Sequence, residues 1–274
     1  KVPRVCFVNK LDRMGASFEK SFASILNRLS QRAVRMQIPI GEEEHHEGVI
    51  DLLKMKGYHF EGNMGIEVKE IEIPDNLKEQ AGKYRKELVE KIVENDEMLM
   101  NAYLEGKGIS INELKKVLRR ATIANEIFPV FCGSALKNKG VQLVLDATVD
   151  YLPSPLDMPP VTGVNPKTGE EIVRKPSDDE PFSALAFKLQ ADPFVGMLTF
   201  FRVYSGTAEA GTYIFNSTTG EKERLGRIVR LQADKREEVK KVYAGEIVAA
   251  VGLKNTKTSH TLCDEKNPIA LEQI

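Results

Sequence analysis

A short apolar run, Val5-Cys6-Phe7-Val8, ends abruptly in Asn9-Lys10-Leu11-Asp12. An unbroken apolar run of this length suits a strand buried on both faces, and such strands occur in sheets covered by helices. In an open α/β sheet, ligands lie beyond the carboxyl ends of the strands. The run therefore commits its segment to an α/β sheet and delivers Asn9, Lys10 and Asp12 to a ligand position. This set suits a guanine base. A carboxylate at Asp12 can accept two hydrogen bonds from guanine N1–H and its exocyclic amine, the Asn9 amide can donate to a ring acceptor, and the aliphatic stem of Lys10 can lie on the ring. Adenine offers no such donor pair, and a buried carboxylate left unpaired disfavours it by several kcal/mol.

A second apolar run, Phe128-Pro129-Val130-Phe131-Cys132, ends in Gly133-Ser134-Ala135-Leu136-Lys137. Small residues in a Ser-Ala-Leu turn let backbone N–H groups approach a ligand oxygen, here guanine O6, while Lys137 can cover the other face of the base. The two runs complement each other: one reads the base edge, the other caps it.

From the sequence, the first helix runs through Phe18, Phe22, Ile25, Leu26 and Leu29 on one face, with Ser17 as N-cap. A strand over residues 36–40 and three short strands near 49–53, 58–60 and 66–73 predict a small sheet. Pro74 opens a helical region with a stripe of Tyr84, Leu88, Ile92 and Val93, and Asp96 starts a shorter helix. Ser110-Ile111-Asn112-Glu113 is a capping-box pattern ahead of Leu114, Val117, Leu118, Ala121 and Ile123. A helix over 141–152, with Val144, Leu145 and Thr148 inward, stops at Pro153-Ser154-Pro155. A proline-rich linker follows, with a turn at Lys167-Thr168-Gly169, and after Phe182 short strands between glycine turns predict a closed antiparallel barrel. No helix of normal length is expected beyond Leu152.

The 274 residues are enough for two or three domains, and the net charge of −1 argues against a strongly basic nucleic-acid binder. No apolar run reaches the length of a membrane span and the start lacks a signal-peptide pattern, so a cytoplasmic location is expected. Cys6, Cys132 and Cys263 are odd in number and widely spaced, which predicts free thiols in a reducing compartment. His45-His46 is expected in a solvated loop and no metal site is predicted, because adjacent side chains diverge and no further ligand has suitable spacing.

With these elements in place the chain closely resembles the bacterial-type elongation factor G family of translational GTPases. The resemblance rests on Asn9-Lys10-Leu11-Asp12-Arg13-Met14-Gly15-Ala16, on Gly133-Ser134-Ala135-Leu136-Lys137-Asn138-Lys139-Gly140-Val141 and on Asp150-Tyr151-Leu152-Pro153-Ser154-Pro155. It continues in Asp192-Pro193-Phe194-Val195-Gly196, Arg202-Val203-Tyr204-Ser205-Gly206 and Val242-Tyr243-Ala244-Gly245. It implies a multidomain α/β plus all-β fold. Residues 1–30 and 126–160 would be the carboxyl half of a P-loop GTPase domain, 31–125 an inserted α+β subdomain, 161–177 a linker and 178–274 the second-domain β-barrel. It also implies guanine-nucleotide binding by Asn9, Lys10, Leu11, Asp12, Ser134, Ala135 and Leu136, and GTP or GDP with Mg2+ as the parent protein's cofactors.

The implied partners are the ribosome's small-subunit rRNA, through the barrel, and the large-subunit stalk protein, through the inserted subdomain. Arg224, Arg227, Arg230, Lys235 and Arg236, in a stretch where basic residues outnumber acidic ones two to one, are candidates for phosphate contacts. No Gly-x-x-x-x-Gly-Lys-Ser/Thr loop and none of the family's switch elements occur in the sequence. The chain is therefore expected to be a central piece of its parent, inactive in hydrolysis alone and with no nucleotide bound. A recycling paralogue or a release-factor GTPase are related alternatives, and a non-enzymatic ribosome- or RNA-binding module is the alternative for the piece by itself.

Overall fold

The computed structural model describes residues 2–233 and 235–272. It divides into two compact units, Lys1–Pro153 and Ser154–Ile274.

In the first unit, β1 (Cys6–Val8), α1 (Phe18–Arg28) and β2 (Ala33–Arg35) come first, followed by β3 (Gln37–Ile40), β4 (Gly48–Asp51), β5 (Lys56–Glu61) and β6 (Glu67–Ile71). Three helices follow, α2 (Asp75–Val93), α3 (Glu97–Leu104) and α4 (Ile111–Ile123), then β7 (Phe128–Cys132) and α5 (Val141–Tyr151). Two sheets result. A parallel sheet has the order β1-β7-β2, and an antiparallel one runs β3-β4-β5-β6. The chain thus leaves the parallel sheet after β2, builds the second sheet and three helices, and returns through β7 between β1 and β2. β2 lies inside the span expected for the insertion, yet it pairs with β7, Ala33 opposite Phe128. The excursion starts after Arg35, because Ala33 and Val34 are buried in the same core as Val130 and Cys132.

Local signals explain the helices. Ser17 Oγ accepts the Lys20 N–H at the start of α1, and Asp96 Oδ1 accepts the Leu99 N–H at the start of α3. The Ser110–Glu113 capping box is complete: the Ser110 side chain takes the Glu113 N–H while Glu113 reaches back to the Ser110 N–H at 2.9 Å. Two apolar expectations fail. Leu29 is the C-cap of α1 and 78 % exposed. In α5 the buried residues are Leu143, Ala147 and Tyr151, spaced four apart, whereas Leu145 is exposed. At 100° per residue these three form one stripe, and Leu145 falls two residues off it. Arg35 joins α1, β2 and α2: its guanidinium lies 4.2 Å from the ring centroids of both Phe22 and Tyr84 and pairs with Glu19 at 3.0 Å and Glu87 at 3.2 Å.

The second unit begins with β8 (Val161–Val164) and β9 (Glu171–Arg174), then β10 (Ser183–Asp192), β11 (Gly196–Ser205), β12 (Ala208–Glu209), β13 (Tyr213–Asn216) and β14 (Glu221–Arg224). β15 (Arg227–Gln232), β16 (Lys235–Val239), β17 (Lys241–Val242), β18 (Ile247–Val251), β19 (Thr261–Cys263) and β20 (Ala270–Leu271) complete it. Eight of these strands make the antiparallel barrel sheet in the order β14-β13-β19-β10-β11-β18-β15-β16, and β12 pairs with β17. The fold is therefore mixed α/β followed by an all-β barrel. Along β11, Phe201, Val203 and Ser205 are buried and alternate with partly exposed neighbours, the period of a strand with one face on a core. Phe201, Leu225, Ile228 and Leu262 fill that core.

Residues 161–177 are not a linker. β8 and β9 form a hairpin around the expected Lys167-Thr168-Gly169 turn, and β8 pairs with β20 in a third sheet. Val161 and Ile172 pack against Leu185, Ile269 and Leu271, apolar partners up to about a hundred residues further along for which the local sequence has no signal.

Candidate functional site

β1 and β7 are adjacent and parallel, with Val8 opposite Cys132, so the segments after them leave the sheet side by side. Backbone bonds fasten them at once: Gly133 N–H donates to Val8 O and Leu11 N–H to Gly133 O, both at 3.1 Å. Gly133 has no substitute here, because a Cβ would stand 2.1 Å from the Lys139 carbonyl oxygen. Leu11, between the polar residues, is 4 % exposed and anchors its loop in the core.

Asn9 Oδ1 accepts two N–H groups, its neighbour Lys10's at 2.7 Å and that of Ala135, 126 positions away, at 2.9 Å. Asp12's side chain is 4 % exposed, with Lys137 Nζ and Arg13 Nε each at 3.7 Å. The Ser134 side chain foremost, with the Lys137 and Arg13 charges, holds the Asp12 carboxyl below its usual range against the opposing effect of burial. Ser134 is fully buried, exchanges two backbone bonds with Lys139, and its Oγ accepts the Lys137 N–H at 3.4 Å. One residue from each loop therefore supports one from the other: Asn9 with Ala135, and Asp12 with Ser134.

This arrangement can meet a base edge that offers two donors. Asp12 is ionised and acceptor-only, and the Asn9 Nδ2 group makes no bond to the described residues. Ala135 differs from expectation. Its N–H is held by Asn9, so within this turn the Leu136 N–H is the one without an acceptor among the described residues. The cause is geometric: Asn9 Oδ1 lies where it serves both its own loop and the facing one.

His46 also differs. The expected solvated loop holds for His45, but His46 is 1 % exposed. Burial foremost, with the Lys139 charge, pushes its imidazole down to about 4, so it is neutral. Among the described residues no group of three or more His, Cys, Asp or Glu could hold a metal ion. Cys6, Cys132 and Cys263 are all free, and no helix is long and apolar enough to cross a membrane among those residues.

Residues 1–154 match the elongation factor Tu GTP-binding domain, more than half of the chain. The chain belongs to that family. Residues 181–265 match elongation factor G domain 2, so a GTP-binding domain precedes a second-domain barrel of the elongation factor G type. A crystal structure of a protein from Thermus thermophilus superposes with a TM-score of 0.78 at 26 % identity, over 99 % of this chain and 38 % of that one. The chain thus spans about two fifths of the length of that protein.

In the barrel of this family member the candidate cations do not form one open patch. Arg236 holds the Asp192 carboxylate with both terminal nitrogens, at 2.6 and 3.2 Å, and Arg230 pairs with Glu246 at 2.5 Å and Glu237 at 3.1 Å. Arg224 Nε donates to the Gly211 carbonyl at 3.3 Å. Arg227 and Lys235 are exposed and have no ion-pair partner among the described residues. Residues 222–241 contain Glu237 but neither Asp192 nor Glu246, so two of these three acidic partners are invisible in the stretch's own sequence.

Proposed function

We propose that Asn9, Lys10, Leu11 and Asp12, with Ser134, Ala135 and Leu136, form the guanine-binding part of a GTPase that drives ribosomal translocation. The observation that carries the reading is the Asp12 carboxylate, ionised and shielded at 4 % exposure, supported by Ser134 from the facing loop. An anion held in that state needs donors in front of it, and guanine N1–H and N2–H supply two. Lys10 and Lys137 then flank the ring faces, and Asn9 Nδ2 donates to the ring.

The barrel match supports elongation factor G as the parent, and GTP hydrolysis coupled to tRNA–mRNA movement is the activity we assign to it. A recycling or release-factor GTPase shares these domains and is the second reading. Mg2+ would act with the nucleotide phosphates, and the ribosome would be the partner, through the barrel and through residues 36–125, in the cytoplasm. The 274 residues alone carry no phosphate loop, so we assign them base recognition and no hydrolysis.

Asp12→Asn in the full-length protein tests the base assignment. An Asn at this position offers a donor in place of an acceptor, so preference should shift from GDP toward XDP by about a hundredfold, two hydrogen bonds' worth. Unchanged base preference rules out Asp12 as the reader. Ribosome-dependent GTP turnover accompanied by tRNA movement separates translocation from recycling, in which the subunits split.

A further inference from the structure

Two loops of the β3–β6 sheet touch the loops that follow β1 and β7. From the β3–β4 loop, Glu43 Oε1 accepts the Gly15 N–H at 2.8 Å, and the His46 carbonyl accepts Lys139 Nζ. From the β5–β6 loop, the Gly65 carbonyl accepts Gln142 Nε2 at 2.9 Å and Asn138 Nδ2 at 3.5 Å. None of these contacts involves Asn9, Asp12, Ser134 or Ala135. They hold the residues that flank them.

Backbone conformation marks the same places. Lys10 (φ 65°), Glu43 (φ 51°), Met64 (φ 57°) and Asn138 (φ 53°) are non-glycine residues in the left-handed region, one in each of these four loops. Such residues persist there only where their surroundings hold them. The β3–β4 loop is tight as well: Gly41 has φ +76°, and a Cβ on it would lie 1.9 Å from the His45 carbonyl oxygen. In the same loop His46 is buried, while Glu43 reaches Gly15.

We propose that Glu43 and Lys139 are positioning residues for base recognition, bracing residues 9–15 and 134–139 against the four-stranded sheet so that this sheet sets how fast a guanine nucleotide leaves. The inference rests on the base-reading role of Asp12 proposed above. It separates two properties of one site. Asp12 decides which base binds, and the brace decides how long the loops stay closed on it.

The test uses the full-length protein loaded with a fluorescent GDP and chased with excess GDP. Glu43→Ala and Lys139→Met should release the probe roughly five- to tenfold faster, the loss of one charge-assisted hydrogen bond passed in part to the nucleotide. Their preference for GDP over XDP should stay that of the wild type. Glu43→Gln keeps an oxygen acceptor for the Gly15 N–H and should restore slow release, which a general packing defect at this position would not show. Release from Glu43→Ala at the wild-type rate overturns the brace, as does Glu43→Gln releasing as fast as Glu43→Ala. Asp12→Asn, run beside them, distinguishes the two layers: if it still prefers GDP, base reading fails and the brace falls with it. If it shifts toward XDP while Glu43→Ala releases normally, the brace alone is wrong.

Discussion

Replacing Asn9 by Ala isolates what its side-chain oxygen does before any ligand is considered. Asn9 Oδ1 receives the Lys10 N–H at 2.7 Å and the Ala135 N–H at 2.9 Å, so the substitution deletes both bonds. A net intramolecular hydrogen bond is worth about 0.5–1.5 kcal/mol, and these two are solvent-accessible, which selects the lower half of that range. Together they account for about 1–2 kcal/mol of loop closure. Expressed as opening of the Ala135 amide, that is a loss of roughly five- to thirtyfold in hydrogen-exchange protection. Amide exchange on this 274-residue chain, without nucleotide, reads it directly. Asn9→Asp is the control: it retains an oxygen toward both amides, and Ala135 should stay protected although the base-facing donor is gone. Equal protection of Ala135 in wild type and Asn9→Ala would show that Asn9 does not hold the facing loop.

Two further outcomes follow from the barrel and the thiols. Glu223, 7 % exposed, accepts from Thr256 Oγ1, Asn216 Nδ2 and the Lys254 and Asn255 N–H groups; burial pushes its carboxyl up, but these donors together bring it below the ordinary glutamate range. The native state therefore gains from the ionised form above the unfolded pKa of about 4.3 and loses that gain as pH falls through the lower folded value. Glu223→Gln should melt at a lower temperature than wild type at about pH 7, with the gap narrowing below about pH 4; a gap independent of pH contradicts the network. Native alkylation should modify Cys6 first, since it is half-buried, whereas Cys132 and Cys263 are fully buried and burial pushes both thiols up. Mass spectrometry showing Cys132 modified before Cys6 would refute the packing around β7.

Much of the fold is legible locally. The capping box at Ser110 and the N-cap at Ser17 are interactions between residues three apart, so the pattern and the contact coincide. Helix faces are legible where burial follows one stripe, as along Leu114, Val117, Leu118 and Ala121. They are ambiguous in α5, where two apolar stripes compete and only packing chooses Leu143, Ala147 and Tyr151. The 161–174 hairpin reads as a linker in the sequence because its third strand, Ala270–Leu271, is remote along the chain.

For the candidate site, the sequence alone specifies which chemistry is available: Asn9 and Asp12 at the end of one apolar run, Ser134 and Ala135 at the end of another. Those residue types and their order are properties of the chain. Tertiary structure decided everything that depends on the approach of distant segments. It set β7 beside β1, turned Asn9 Oδ1 toward the Ala135 amide, buried His46 out of an apparently polar loop, and brought Glu43 to Gly15. Hydrogen bonds reach about 3 Å while these partners lie 28 to 126 residues apart, and only folding can join them.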